Sequence, residues 1–89
     1  MTKYIYKGAM VQSIAGREKN EIFIVKDIEN GFAMLINGKS RPIENPKKKN
    51  IKHLQLLLKS ELVALDFDNL TNAHVIKYIK DYKKSKDYK

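Results

Sequence analysis

Arg17 and Lys19, Lys39 and Arg41, and the run Lys47, Lys48, Lys49, Lys52 and His53 are the side chains whose type and spacing point most directly to chemistry. Cations brought together from separate turns displace condensed counterions from phosphates, a gain that is blind to base sequence and shrinks as salt rises. Arg17 and Arg41 are the expected anchors, because a guanidinium fork holds a phosphate bidentately and also stacks on a base. The ordinary alternative for both is a surface pair with Glu18, Glu21 or Glu44. For the lysine run it is a solvated loop, and for His53 a partly exposed strand position.

Other chemistry has little to stand on. With no Cys there is no disulfide, thiol nucleophile or cysteine-bound metal. His53 and His74 have no metal-ligand spacing with a carboxylate, and no glycine-rich phosphate loop is present. Ser13, Ser40, Ser60 and Ser85 sit in no nucleophile setting, and Asp66 and Asp68 read as a solvated or capping pair. The expectation is a non-enzyme with no metal, no cofactor and no small-molecule substrate. Phe23 and Phe32 are expected in the core, Tyr82 packed and Tyr88 solvated. Tyr4 and Tyr6 alternate on an edge strand or arm, and no aromatic cage can be placed.

The chain that must position these cations has 89 residues, 43% of them hydrophobic, and a net charge of +8. That length supports one compact core. Self-repulsion at this charge is relieved by a polyanion, so nucleic acid, anionic membrane and acidic protein lead the partner classes. Residues 47–59 hold five Lys and no acid, which concentrates the excess in one segment. No apolar run approaches the roughly 18 residues of a membrane span, and the start lacks the apolar stretch of a secretory signal. A soluble, unprocessed, cytoplasmic protein is expected, and nothing points to association beyond a monomer.

The fold class expected is mainly β with a C-terminal helix. Residues 10–16 alternate as a first strand, and 17–20 form a polar turn. Residues 21–28 are rich in β-branched and aromatic types and make the strongest strand. Asn30-Gly31 supplies a type I′ hairpin into 32–36. Asn37-Gly38 turns the chain again into 39–43, a strand that Pro42 keeps short or at an edge. After the lysine run, Leu54, Leu56 and Leu58 offer a closing strand. Five short strands favour a small barrel, which covers its own edges. Residues 60–65 form either a short helix or an extended connector. Thr71 is the expected N-cap of a final helix, stapled by Leu70 and Val75. Val75, Ile76, Ile79 and Tyr82 form its apolar stripe, and residues 85–89 are expected to fray. Residues 1–59 thus form the barrel and 60–89 a helical extension packed on it, ending in a frayed basic tail.

The run Gly8-Ala9-Met10-Val11-Gln12-Ser13-Ile14-Ala15-Gly16-Arg17-Glu18-Lys19-Asn20-Glu21-Ile22-Phe23-Ile24-Val25 resembles a KOW motif. Asn37-Gly38-Lys39 and the stretch from Arg41-Pro42-Ile43-Glu44-Asn45-Pro46 through Lys47-Lys48-Lys49-Asn50-Ile51-Lys52-His53-Leu54 are similar to segments of short bacterial KOW-domain proteins. Those are related to the ribosomal large-subunit family called fourteen-e in archaea and eukaryotes. The resemblance covers residues 8–58, and Leu70-Thr71-Asn72-Ala73 before a helix looks like the tail of the bacterial members. It implies an SH3-like barrel, RNA binding, ribosomal association and no catalysis. Asn20 stands where KOW motifs carry Gly, a place Asn tolerates with some strain. His74 stands where the relatives carry an acid, so no capping box is expected.

The leading expectation is a module of the translation apparatus that binds large-subunit ribosomal RNA, with neighbouring ribosomal proteins as further partners. The alternative is a KOW module of a transcription or ribosome-assembly factor that docks on protein through Ile43, Ile51 and Leu56. A membrane-surface role for the last helix is the third and weakest expectation.

Overall fold

The computed structural model describes residues 5–58 and 68–87. Five strands, β1 (Met10–Ser13), β2 (Ile22–Glu29), β3 (Phe32–Ile36), β4 (Lys47–Asn50) and β5 (Leu54–Leu58), form one antiparallel sheet in the order β4-β3-β2-β1-β5. A single 3-10 turn, Ile51–His53, separates β4 from β5, and helix α1 (Asn72–Asp87) closes the described chain. The two end strands are thus joined by three residues. Four Cα steps reach at most about 14 Å, whereas the end strands of a flat five-strand sheet lie about 19 Å apart. The sheet therefore curls until its ends approach. Bulges at Lys26 in β2 and at Leu57 in β5, opposite Met10 and Val11, assist the bend.

Both faces of the curled sheet are covered, which explains why β2 reads as a continuous apolar run and not as an alternation. Val11, Phe23, Val25, Ala33, Leu35 and Leu54 fill the concave side. On the other side Met10, Ile24 and Ile36 lie in register across three strands, and Val75 and Ile79 of α1 cover them. Leu70 and Tyr82 pack against the same cluster, as the staple and the apolar stripe require. Ile76 lies half-buried beside them.

Turn chemistry sets the hairpins. Asn30 and Gly31 both take positive φ, 51° and 81°, as a type I′ hairpin demands. Asn20 sits at φ 77°, in the left-handed region that Asn tolerates better than other side chains. The first strand ends at Ser13, and Ile14 beyond it is 42% exposed.

Several sequence expectations need correction. Residues 39–43 are not a strand. Asn37 ties them into a compact loop: its Oδ1 accepts from the backbone N–H groups of Lys39 and Arg41, both at 2.9 Å. The fourth strand is instead the lysine run, which pairs with β3 in the register Leu35↔Lys47, Met34↔Lys48 and Ala33↔Lys49. Ladder bonds are made by the backbone, so three lysines serve an end strand well. The missing acid at position 74 does not abolish the capping box. Thr71 Oγ1 accepts from the His74 N–H at 3.1 Å, and His74 Nδ1 accepts from the Thr71 N–H at 3.3 Å. The 60–65 segment, Tyr4, Asp66 and Tyr88 lie outside the described residues.

Candidate nucleic-acid interface

The β1–β2 turn carries Arg17 and Lys19 and is reached by Lys47 and Lys49 of β4. Ser13 and Asn20 close it, with Asn20 N–H donating to Ser13 O at 2.7 Å and Ser13 N–H donating to Glu21 O at 3.0 Å. Arg17 and Lys19 project from it, exposed, and neither forms an ion pair with a described residue. A guanidinium and an ammonium on one turn have the charge that can exchange counterions for phosphates.

Two members of the lysine run reach the same turn from β4, and they reach it already paired. Lys47 and Lys49 share faces with Leu35 and Ala33, so they point to the concave side, where each Nζ sits 3.0 Å from a different Glu18 oxygen. Lys49 also donates to Ala15 O at 3.0 Å, and its side chain is only 10% exposed. The hydrogen bond from Lys47, then that from Lys49, draws the Glu18 carboxyl down to about 2 from an ordinary 4.5. These contacts rule out the alternative of a solvated lysine loop, and they also take Lys47 and Lys49 out of the set of cations free to meet phosphates. Inward-pointing charge on an end strand serves instead to resist edge-to-edge association.

Lys48 behaves differently, because alternate residues of a strand face opposite sides. It is exposed, with its Nζ 4.9 Å from the centroid of the half-buried Phe32 ring, a cation–π contact that still leaves the charge accessible. Lys52 and His53 are exposed on the 3-10 turn, whose start is capped by Asn50 Oδ1 accepting from Lys52 N–H at 2.9 Å. The Ile14 N–H donates to His53 O at 2.9 Å, which ties this turn to the start of the β1–β2 turn.

Lys39 lies exposed and Arg41 half-buried on the Asn37-centred loop. That loop is fixed to α1 by Asn72, whose Oδ1 accepts from the Ile43 N–H at 2.8 Å and whose Nδ2 donates to Glu44 at 3.1 Å. The Glu44 backbone N–H, and after it Asn72, hold the Glu44 carboxyl below its usual range.

Between loop and helix runs an open groove of about 670 Å³. Glu21 and Ile22 border it from the start of β2, Asn37, Lys39 and Ser40 from the loop, and Ile76, Ile79, Lys80 and Lys83 from α1. Sequence reasoning left Lys80 and Lys83 out of the candidate set. The signal was present in the spacing 76, 79, 80 and 83, one continuous helical face that shares Ile79 with the packed stripe.

Of the nine candidates, Arg17, Lys19, Lys39, Lys48, Lys52 and His53 are exposed, Arg41 is half-buried, and Lys47 and Lys49 are engaged with Glu18. Among the described residues no three acidic or histidine side chains gather as a metal site, and no helix is long and apolar enough to cross a membrane. No protein-family model matches the chain, and no curated protein matches it significantly.

Proposed function

We propose that the chain is a non-catalytic, cofactor-free RNA-binding module of the translation apparatus, an SH3-like KOW barrel that grips large-subunit ribosomal RNA through basic side chains around the β1–β2 turn. One observation carries the reading: exposed cations of separate segments lie on that turn or on a segment hydrogen-bonded to it, Lys52 and His53 being tied to its start by the Ile14–His53 bond. Arg17 and Lys19 stand on it, and Glu21, which closes it, also borders the groove holding Lys39, Lys80 and Lys83. The KOW-like residues 8–25 lie on β1, this turn and β2. The strand order and the short 3-10 link between the end strands accord with an SH3-like barrel. Recognition is of RNA shape and phosphate position more than of base sequence.

The protein-docking alternative has less support. Ile43, Ile51 and Leu56, the residues it would use, are partly buried against the two core clusters.

Crosslinking in cells, with sequencing of the bound RNA and ribosome gradients alongside, tests the assignment. The expected result is co-sedimentation with the large subunit and crosslinks concentrated in one region of its RNA. Recovery of proteins without enriched RNA would transfer support to the alternative.

A further inference from the structure

The groove between α1 and the 37–46 loop differs from the other basic surfaces because it combines charge with an apolar floor. Ile22, Ile76 and Ile79 supply the floor, while Lys39, Lys80 and Lys83 stand exposed at its borders. Ser40 Oγ already accepts from Asn37 Nδ2 at 3.1 Å, which leaves its own proton to donate. Glu21 adds an exposed acceptor. The volume, about 670 Å³, falls in the range of sites that enclose small organic groups, roughly 300–1,000 Å³.

We propose that this groove seats one unpaired nucleotide of the bound RNA, an inference that rests on the RNA-binding function proposed above and specifies a subsite for it. The base lies on the isoleucine floor, and its flanking phosphates meet the three lysines. The Ser40 hydroxyl donates to a base or ribose oxygen, and Glu21 accepts from an exocyclic amine or a 2′-hydroxyl. The chemistry favours an unpaired nucleotide over a duplex, because bases in an A-form helix are stacked and their major-groove edges are out of reach. It favours a nucleotide over an acidic peptide, because a carboxylate chain leaves the apolar floor uncovered. Helix α1 then serves as an RNA-contacting element as well as a cover for the sheet.

The test compares a single-stranded oligoribonucleotide with a perfect duplex of equal length, binding to the full chain and to its Lys39→Ala/Lys80→Ala variant. Both positions are exposed, so the helical circular dichroism should be unchanged. At about 0.1 M salt the variant should lose roughly tenfold to thirtyfold in affinity for the single strand, the yield of two phosphate contacts, and less than about threefold for the duplex. Acetylation footprinting of the unmodified chain gives a second readout: the single strand should protect Lys39, Lys80 and Lys83, and the duplex should not.

Equal losses for both RNAs, or no loss and no protection, would overturn the nucleotide seat while leaving the general RNA-binding function intact. A poly-glutamate peptide that gave the same affinity and protection would assign the groove to acidic protein instead. Failure of the unmodified chain to bind either RNA at low salt would overturn both proposals.

Discussion

Gly38→Ala is expected to lower the stability of the fold by about 2–4 kcal/mol, the sum of left-handed backbone strain and overpacking. Gly38 has φ +82°, and a Cβ there would lie 2.6 Å from the Asn72 carbonyl oxygen and 2.7 Å from Ile76 Cγ1. Neither neighbour yields easily. Asn72 belongs to the first turn of α1 and is held by Ile43 and Glu44, so the added methyl must push the helix off the loop. Gly31→Ala is the control, because Gly31 has nearly the same φ but nothing within 4 Å of the added carbon. It should cost about 1–2 kcal/mol, the strain alone. Urea unfolding of the three proteins measures the difference; equal losses for the two variants would show that α1 does not press on Gly38.

The double reversal Lys47→Glu/Lys49→Glu is expected to cost roughly 2–4 kcal/mol, less than breaking a fully buried pair because Lys47 and Glu18 stay 26% and 21% exposed, with repulsion added by Glu18 itself. A small domain has about 5–15 kcal/mol to lose, so the variant should unfold at a markedly lower urea concentration than the parent. Lys48→Glu should stay folded, losing only the contact over Phe32, about 0.5–1 kcal/mol at an exposed site. Its effect belongs to RNA affinity, which should fall several-fold.

The same cluster sets a pH dependence. Because the folded state holds Glu18 at about 2 against an ordinary 4.5, its pairing stabilises the fold fully above about pH 4.5 and ceases to do so as pH falls toward 2. Glu18→Gln should flatten that acid limb. A double reversal as stable as the parent, with an unchanged acid limb in Glu18→Gln, would remove the Glu18 cluster from the account.

What the sequence revealed was what short stretches determine by themselves. β3 coincides with its expected residues, β2 is displaced by one, and Asn30-Gly31 adopts the hairpin its dihedral freedom favours. The lysine strand was hidden because the sheet pairs backbones and does not consult side-chain type. Glu18 was hidden as the partner of Lys47 and Lys49 because contact across 29 and 31 positions depends on the curl of the sheet. The loop at 39–43 was misread because alternation and a Pro at an edge do not reveal Asn37 bonding to two N–H groups ahead of it. His74 showed in the sequence only as a missing acid, whereas its ring nitrogen accepts the bond an acid would have accepted. The groove could not be read from the helix alone, since half of its border comes from the β3–β4 loop and β2.

The central claim is that exposed cations around the β1–β2 turn exchange counterions for RNA phosphates. Its most direct measurement is the affinity of the full chain for a folded large-subunit RNA fragment as a function of salt. Contact with about six phosphates predicts a log–log slope on the order of −4 to −5, and Arg17→Ala/Lys39→Ala should make it shallower by roughly 1.5. A slope near zero, or one the double variant leaves unchanged, would contradict it.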